Sequence, residues 1–243
     1  MKKLIRAGQR RIADSSVPAV GRRSGREAFV LRNVRIRFSK TGRARYISHL
    51  DLSRVMQRSL RRAGIPLWYT EGFNRHPYVT FAAPLSLGFE GLQETMDIRL
   101  EQEMADEELV CRLREASPEG ITILSAADAV HKPGEIASAR YRLIFPGEGE
   151  RMRHFLDQET IPAEKKTKKG TMKTLDLKPA LLEREIKELP GQTELTLLLP
   201  CSSSDTVNPL LIWGAYGRFI GREIPSPQVT RMDVYTADGK PFC

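Results

Sequence analysis

The side chains with the means to do chemistry crowd between Val34 and Gly91. The run Arg43-Ala-Arg-Tyr-Ile-Ser-His-Leu-Asp51 leads into a segment that carries Arg54, Arg58, Arg61 and Arg62. At 100° per residue these four arginines share one helix face, opposite Leu52, Val55, Met56, Leu60 and Ala63. Guanidinium groups one turn apart can each give a phosphate two parallel hydrogen bonds. With Arg43 and Arg45 just upstream they would form a stripe that releases counterions on binding RNA. A solvated outer face is the ordinary fate of such residues, but only Asp51 offsets the arginines between Arg43 and Arg62, so lacing by internal salt bridges is not available.

Three further groups have comparable potential. In Glu71-Gly-Phe-Asn-Arg-His-Pro77, Gly72 and Asn74 permit turn geometry and Pro77 fixes the start of a strand. Arg75 and His76 would project from that turn and Phe73 would offer a face for a base; a packed turn with His76 bonded to a carbonyl is the alternative. His49 opens the arginine helix. Histidine is the natural general acid or base near neutrality, so His49 or His76 could activate a 2′-hydroxyl, although a structural or binding role is the plainer reading for each. Lys165, Lys166, Lys168 and Lys169 cluster around Gly170, where mobile ammonium groups suit non-specific phosphate contact or simply remain solvated. Ser202-Ser-Ser-Asp205 reads as a turn, and Trp213 and Tyr216 read as core. No phosphate-cradling Gly-x-x-x-x-Gly-Lys and no dinucleotide fingerprint occurs.

The elements that must position these groups follow from periodicity. Val34, Ile36 and Phe38 alternate in a strand. Ser48-x-x-Asp51 is a helix opening, and Gly64 with Pro66 closes that helix near Ala63. Pro77–Pro84 and Glu94–Glu101 read as a strand pair around the Gly88–Gly91 turn. A helix over Asp106–Ala116 and a short strand over Ile121–Leu124 follow. Beyond a boundary at Ala127–Ala137 the pattern begins again: a strand with Ala139, Tyr141, Leu143 and Phe145, a helix over Gly147–Asp157, a strand at Glu194–Leu199, a short helix at Asn208–Tyr216 and a strand at Val229–Thr236. The expected fold class is α+β. It would comprise two ferredoxin-like βαββαβ layers, each an antiparallel sheet with helices on one face, over residues 28–130 and 138–243. Residues 1–27 read as a flexible basic tail.

Composition narrows the function classes. The net charge of +9 suggests nucleic acid, but residues 1–26 hold eight Lys/Arg against Asp14 and so supply +7 of it. The body is nearly neutral, and only patches on it are basic. Cys111, Cys201 and Cys243 are too few and too scattered for a disulfide framework, a zinc knuckle or a four-iron cluster, which points to a reducing cytoplasm. Cys111 is expected to pack in the core. No apolar run reaches the roughly 18 residues of a membrane span, and there is no apolar core near Met1 of the kind a secretory signal needs.

The motifs Arg37-Phe-Ser-Lys-Thr-Gly-Arg-Ala-Arg-Tyr-Ile-Ser-His-Leu-Asp-Leu, Arg61-Arg-Ala-Gly-Ile-Pro, Gly72-Phe-Asn-Arg-His-Pro, Pro84-Leu-Ser-Leu-Gly, Thr167-Lys-Lys-Gly and Leu175-Asp-Leu-Lys-Pro together resemble the bacterial radical-SAM-linked domain of unknown function, over roughly residues 34–236. The resemblance implies a partner, a radical S-adenosylmethionine enzyme that holds the iron–sulfur cluster and S-adenosylmethionine, with no cofactor in this chain. The first half is also similar, at the level of fold, to CRISPR repeat-processing endoribonucleases. The resulting expectation is a cytoplasmic accessory RNA-binding protein that works with such an enzyme in RNA modification or processing. Arg54, Arg58, Arg61 and Arg75 would hold phosphates, Phe73 would stack, and the lysines would add electrostatic hold. The rivals are a metal-independent endoribonuclease using His49 or His76, and a protein-docking module with no RNA contact.

Overall fold

Alternating apolar residues and punctuated helices build ten strands and four α-helices in the computed structural model, which describes residues 31–147, 149–166 and 172–243. The basic tail expected at residues 1–27 lies outside the described residues.

In the first half, β1 (Arg32–Lys40) buries Val34, Ile36 and Phe38 on one face. A 3-10 turn at Gly42–Tyr46 leads to α1 (His49–Arg62), where the Ser48 hydroxyl accepts from the Asp51 N–H. Then come β2 (Val79–Phe81), β3 (Glu90–Leu100), α2 (Asp106–Ala116) and β4 (Ile121–Asp128). β1 lies between β4 and β3, antiparallel to both, and β2 pairs antiparallel with β3. The buried face of α1 (Leu52, Met56, Leu60) meets Leu109 and Leu113 of α2 over Ile36, Phe38, Met96 and Ile98. Cys111 departs from its expected place in that core and is exposed. Two residues past the inward Leu109 turns a side chain about 200° round the helix.

The second half contains β5 (Ile136–Pro146), α3 (Gly149–Leu156), the hairpin β6 (Pro162–Lys166) and β7 (Met172–Asp176), β8 (Glu183–Leu189), β9 (Gln192–Pro200), α4 (Pro209–Phe219) and β10 (Gln228–Thr236). β5 lies between β10 and β9, and β8 pairs with the outer side of β9, all antiparallel. β8 has no counterpart in the sequence reading, because Glu-Arg-Glu-Ile-Lys-Glu-Leu buries only Ile186, and that only partly. Its register comes from the turn at Pro190-Gly191, where Gly191 has φ 74°.

The two halves do not form separate sheets. β10 joins β3 in parallel at Thr230↔Glu90 and Arg231↔Gly91, giving one mixed eight-stranded sheet in the order β4-β1-β3-β10-β5-β9-β8, with β2 also on β3. β2 covers only the stretch of β3 from Met96 to Ile98. The backbone at Glu90–Gly91 is left with an open edge, and β10 satisfies it.

Cross-strand partners share a sheet face. The row Lys40–Gly91–Arg231–Tyr141–Leu197 therefore puts both apolar cores on the same side. At the centre of that row Gly91 leaves room for a neighbouring carboxylate: a Cβ there would fall 2.3 Å from Glu94 Oε1. Arg231 donates from Nε to Glu94 at 3.0 Å and from Nη2 to the Ala83 carbonyl at 2.7 Å. Burial works against the Arg231 charge, and Glu94 more than offsets it, holding the guanidinium above its ordinary pKa.

Candidate nucleic-acid interface

Lys40 is the anchor beneath the proposed surface. Its position continues the inward alternation of Val34, Ile36 and Phe38, so the side chain is buried. Nζ donates to the carbonyls of Ile47 at 2.9 Å and Arg45 at 3.3 Å. Burial lowers its pKa, and Arg231 pushes the same way against Glu94. The Gly88 N–H also bonds the Arg45 carbonyl, at 2.9 Å, and the Gly42 N–H bonds Glu90 Oε1 at 3.0 Å. The buried Lys40 ammonium and these backbone donors thus fix the 3-10 turn before α1. By sequence Lys40-Thr-Gly reads as a turn; the place of Lys40 in the alternation is the signal for its burial.

On this base α1 shows its cationic face. Arg54, Arg58, Arg61 and Arg62 are all exposed. Arg54 pairs with Asp51 at 3.0 Å, and among the described residues no carboxylate lies within ion-pair distance of Arg58, Arg61 or Arg62. The Ser48 hydroxyl, and then Arg54, hold the Asp51 carboxyl below its usual pKa. Arg43 is exposed. Arg45 is half-buried, 3.9 Å from Glu90 and stacked over the Tyr46 ring at 4.9 Å, so its charge is partly spent inside the protein.

The chain leaves α1 through Leu67, which bridges to Leu100, and then forms a hairpin beside β3. The Arg99 guanidinium lies 4.9 Å from the Trp68 ring and 4.9 Å from the Tyr78 ring, joining the two arms at their base. Backbone bonds Tyr78 N–H to Trp68 O and Thr70 N–H to His76 O extend the ladder outward. Beyond it Glu71, Gly72, Phe73, Asn74, Arg75 and His76 are all exposed, with Gly72 at φ 118°. Phe73 has a relative exposure of 103%. The His76 Nδ1 lies 3.1 Å from the Asn74 carbonyl, which can only accept, so Nδ1 carries the proton; it is also 3.1 Å from the Thr70 hydroxyl. His76 therefore braces the loop that presents Phe73 and Arg75.

His49 sits elsewhere. It is exposed, and its ring meets Phe81 edge-on at 5.2 Å. Five residues of largely extended chain separate His76 from Phe81, about 16 Å at the usual strand rise. The two histidines therefore do not share one reaction centre.

The lysines belong to the other half. The backbones of Lys165 and Lys166 pair with Lys173 and Met172 at the end of the β6–β7 hairpin, while Lys168 and Lys169 lie outside the described residues. Asp176 holds the base of this hairpin, accepting from Ile161 N–H at 2.7 Å and Lys178 N–H at 3.0 Å. These bonds lower its pKa and account for the Leu175-Asp-Leu-Lys-Pro motif. The hairpin touches the far end of α4 through Arg218, whereas Leu210 at the near end shares a hollow with Arg45 and Tyr46. Eight helical steps, about 12 Å, separate the two. The lysine hairpin thus lies at the opposite end of α4 from Arg45 and Tyr46.

Beneath the sheet's opposite face, sequence reasoning also missed Arg35. It is buried, forms two bonds to Asp97 at 2.8 and 2.9 Å, and lies 4.0 Å from the Phe242 ring. Among the described residues, no three His, Cys, Asp or Glu side chains gather closely enough to hold a metal ion, and no helix is long and apolar enough to cross a membrane.

A family profile described as "Uncharacterized protein conserved in bacteria (DUF2344)" matches residues 33–209. That span covers most of the chain, from β1 through β9 with α1 and the Phe73 hairpin, and stops before β10. No curated protein matches the chain.

Proposed function

We propose that this chain, which belongs to the bacterial DUF2344 family, is an accessory RNA-binding protein that grips an unpaired stretch of RNA along α1 and the Phe73 hairpin. The observation that carries the reading is Phe73, wholly exposed on a braced loop beside Arg75 and following a helix whose Arg58, Arg61 and Arg62 have no carboxylate partner among the described residues. An aromatic ring held in water has no role in stability, and it stacks on any base. The separation of His49 from His76 favours binding over cleavage.

In the cell the same reading sets the protein beside a radical S-adenosylmethionine enzyme that holds the iron–sulfur cluster and modifies or processes the bound RNA. Each half reads as a ferredoxin-like layer, with the two units meeting near residues 130–138. The matching strand orders β4-β1-β3-β2 and β10-β5-β9-β8 support that description.

The test is RNA affinity as a function of salt. Affinity should fall steeply as salt rises, and Arg58→Gln with Arg61→Gln should flatten the log–log slope by about 1.4, at roughly 0.7 per lost phosphate contact on a single strand. Salt-insensitive binding by the wild type, or an unchanged slope in the double variant, removes the proposal. Co-purification with the enzyme after nuclease treatment tests the partner separately.

A further inference from the structure

The second half carries a cleft that the α1 surface does not explain. It lies between the end of β5, α3, α4 and the loop after α4, with a volume of about 450 Å³. That is within the roughly 300–1,000 Å³ usual for small-molecule sites. Its floor is aromatic: Phe145 packs on Trp213 at 4.8 Å between ring centroids, and Trp213 on Tyr216 at 5.7 Å. Trp213 and Tyr216 are one helical turn apart on α4, so both face the same way. The Trp213 indole N–H donates to the Pro225 carbonyl at 3.1 Å, which ties the loop to the helix and fixes the far wall.

Two cations enter this frame from different elements. Arg151 comes from α3 and Arg222 from the loop, and both line the cleft. Among the described residues neither has a carboxylate within ion-pair distance, although Glu223 also lines the wall. The Tyr216 ring is buried, and its hydroxyl has no hydrogen-bond partner among the described residues. Tyr216 shares the cleft lining with Arg151 and Arg222; burial raises its pKa, while the charges of Arg151 and Arg222 both pull it down.

We propose that this cleft binds the phosphate of a nucleotide, free or at the phosphorylated end of an RNA. Arg151, Arg222 and the Tyr216 hydroxyl donate to the phosphate oxygens, where forked guanidinium donors match a tetrahedral oxyanion. The Phe145–Trp213 wall takes the flat, apolar part of the ligand. Glu223 accepts from a sugar hydroxyl or a base amine and excludes a second phosphate. The proposal does not rest on RNA binding by α1, because no residue is shared between the two surfaces.

The test is calorimetric titration of the full chain with adenosine monophosphate, adenosine, and short RNAs bearing a 5′-phosphate or a 5′-hydroxyl. Adenosine monophosphate binding at least about tenfold tighter than adenosine supports a free nucleotide. Preference for the phosphorylated RNA, with no response to the mononucleotide, supports an RNA end. In either case Arg151→Gln and Arg222→Gln should each cost about tenfold while the melting temperature stays put, both side chains being exposed. Absence of any phosphate preference in the wild type, or its survival in both arginine variants, overturns the proposal.

Discussion

Arg231→Met tests whether the seam between the two halves is held by a buried charge pair. The Arg231 and Glu94 side chains are only 3% and 6% exposed. Replacing the guanidinium strands the carboxylate and removes the donors to the carbonyls of Ala83, at 2.7 Å, and Pro84, at 3.4 Å. Breaking a buried pair from one side costs about 3–5 kcal/mol. For a protein of this size each kcal/mol shifts the melting temperature by roughly 2–4 °C, so the expected loss is about 6–20 °C. Removing both charges should cost less. In Glu94→Met with Arg231→Met nothing charged is stranded, and Lys40 loses one attraction and one repulsion together. Thermal melts of the wild type, both single variants and the double variant complete a double-mutant cycle with an expected coupling of about 2–3 kcal/mol. The reasoning fails if Arg231→Met melts within about 2 °C of the wild type, or if the double variant is no more stable than Arg231→Met.

Phe73→Ala should weaken RNA binding by roughly 1–3 kcal/mol, the usual worth of one stacked base, and leave the melting curve unchanged; a shift in the melt would mean that the ring packs on the protein. Iodoacetamide at pH 8 should label the exposed Cys111 and Cys243 and spare Cys201, whose thiol is buried and pushed up by that burial, as mass mapping would show. Asp176 has a folded pKa below its ordinary value, so its contribution to the β6–β7 hairpin is full above about pH 4 and is lost as pH falls through that lower folded value. Amide exchange at Ile161 and Lys178 should speed up in Asp176→Ala at neutral pH, and unchanged protection there would contradict the capping role.

Much of the secondary structure was legible because it rests on short-range rules. The Ser48-x-x-Asp51 opening, Gly64 after α1 and the α2 span Asp106–Ala116 follow from orphan amides, left-handed backbone and the 3.6-residue period. β8 was not legible, since an edge strand with two wet faces has no alternation to read. Of the candidate site, the exposure of the α1 arginines and the Phe73 loop could be inferred from local pattern. The partial neutralisation of Arg45 by Glu90 could not, because the two meet only across the fold.

The amino-acid order by itself determined where chain direction changes, which faces are apolar, and that residues 1–26 hold most of the net positive charge, since each is read from the residues in order. Only the tertiary structure decided which charges disappear from water. Arg35 and Arg231 look like any other cation in the chain, yet the Arg231–Glu94 contact spans 137 residues and exists because β10 takes the edge that β2 leaves open. The cleft that joins Arg151 to Arg222 has the same origin: α3 and the loop after α4 become neighbours only when β5 is laid between β10 and β9.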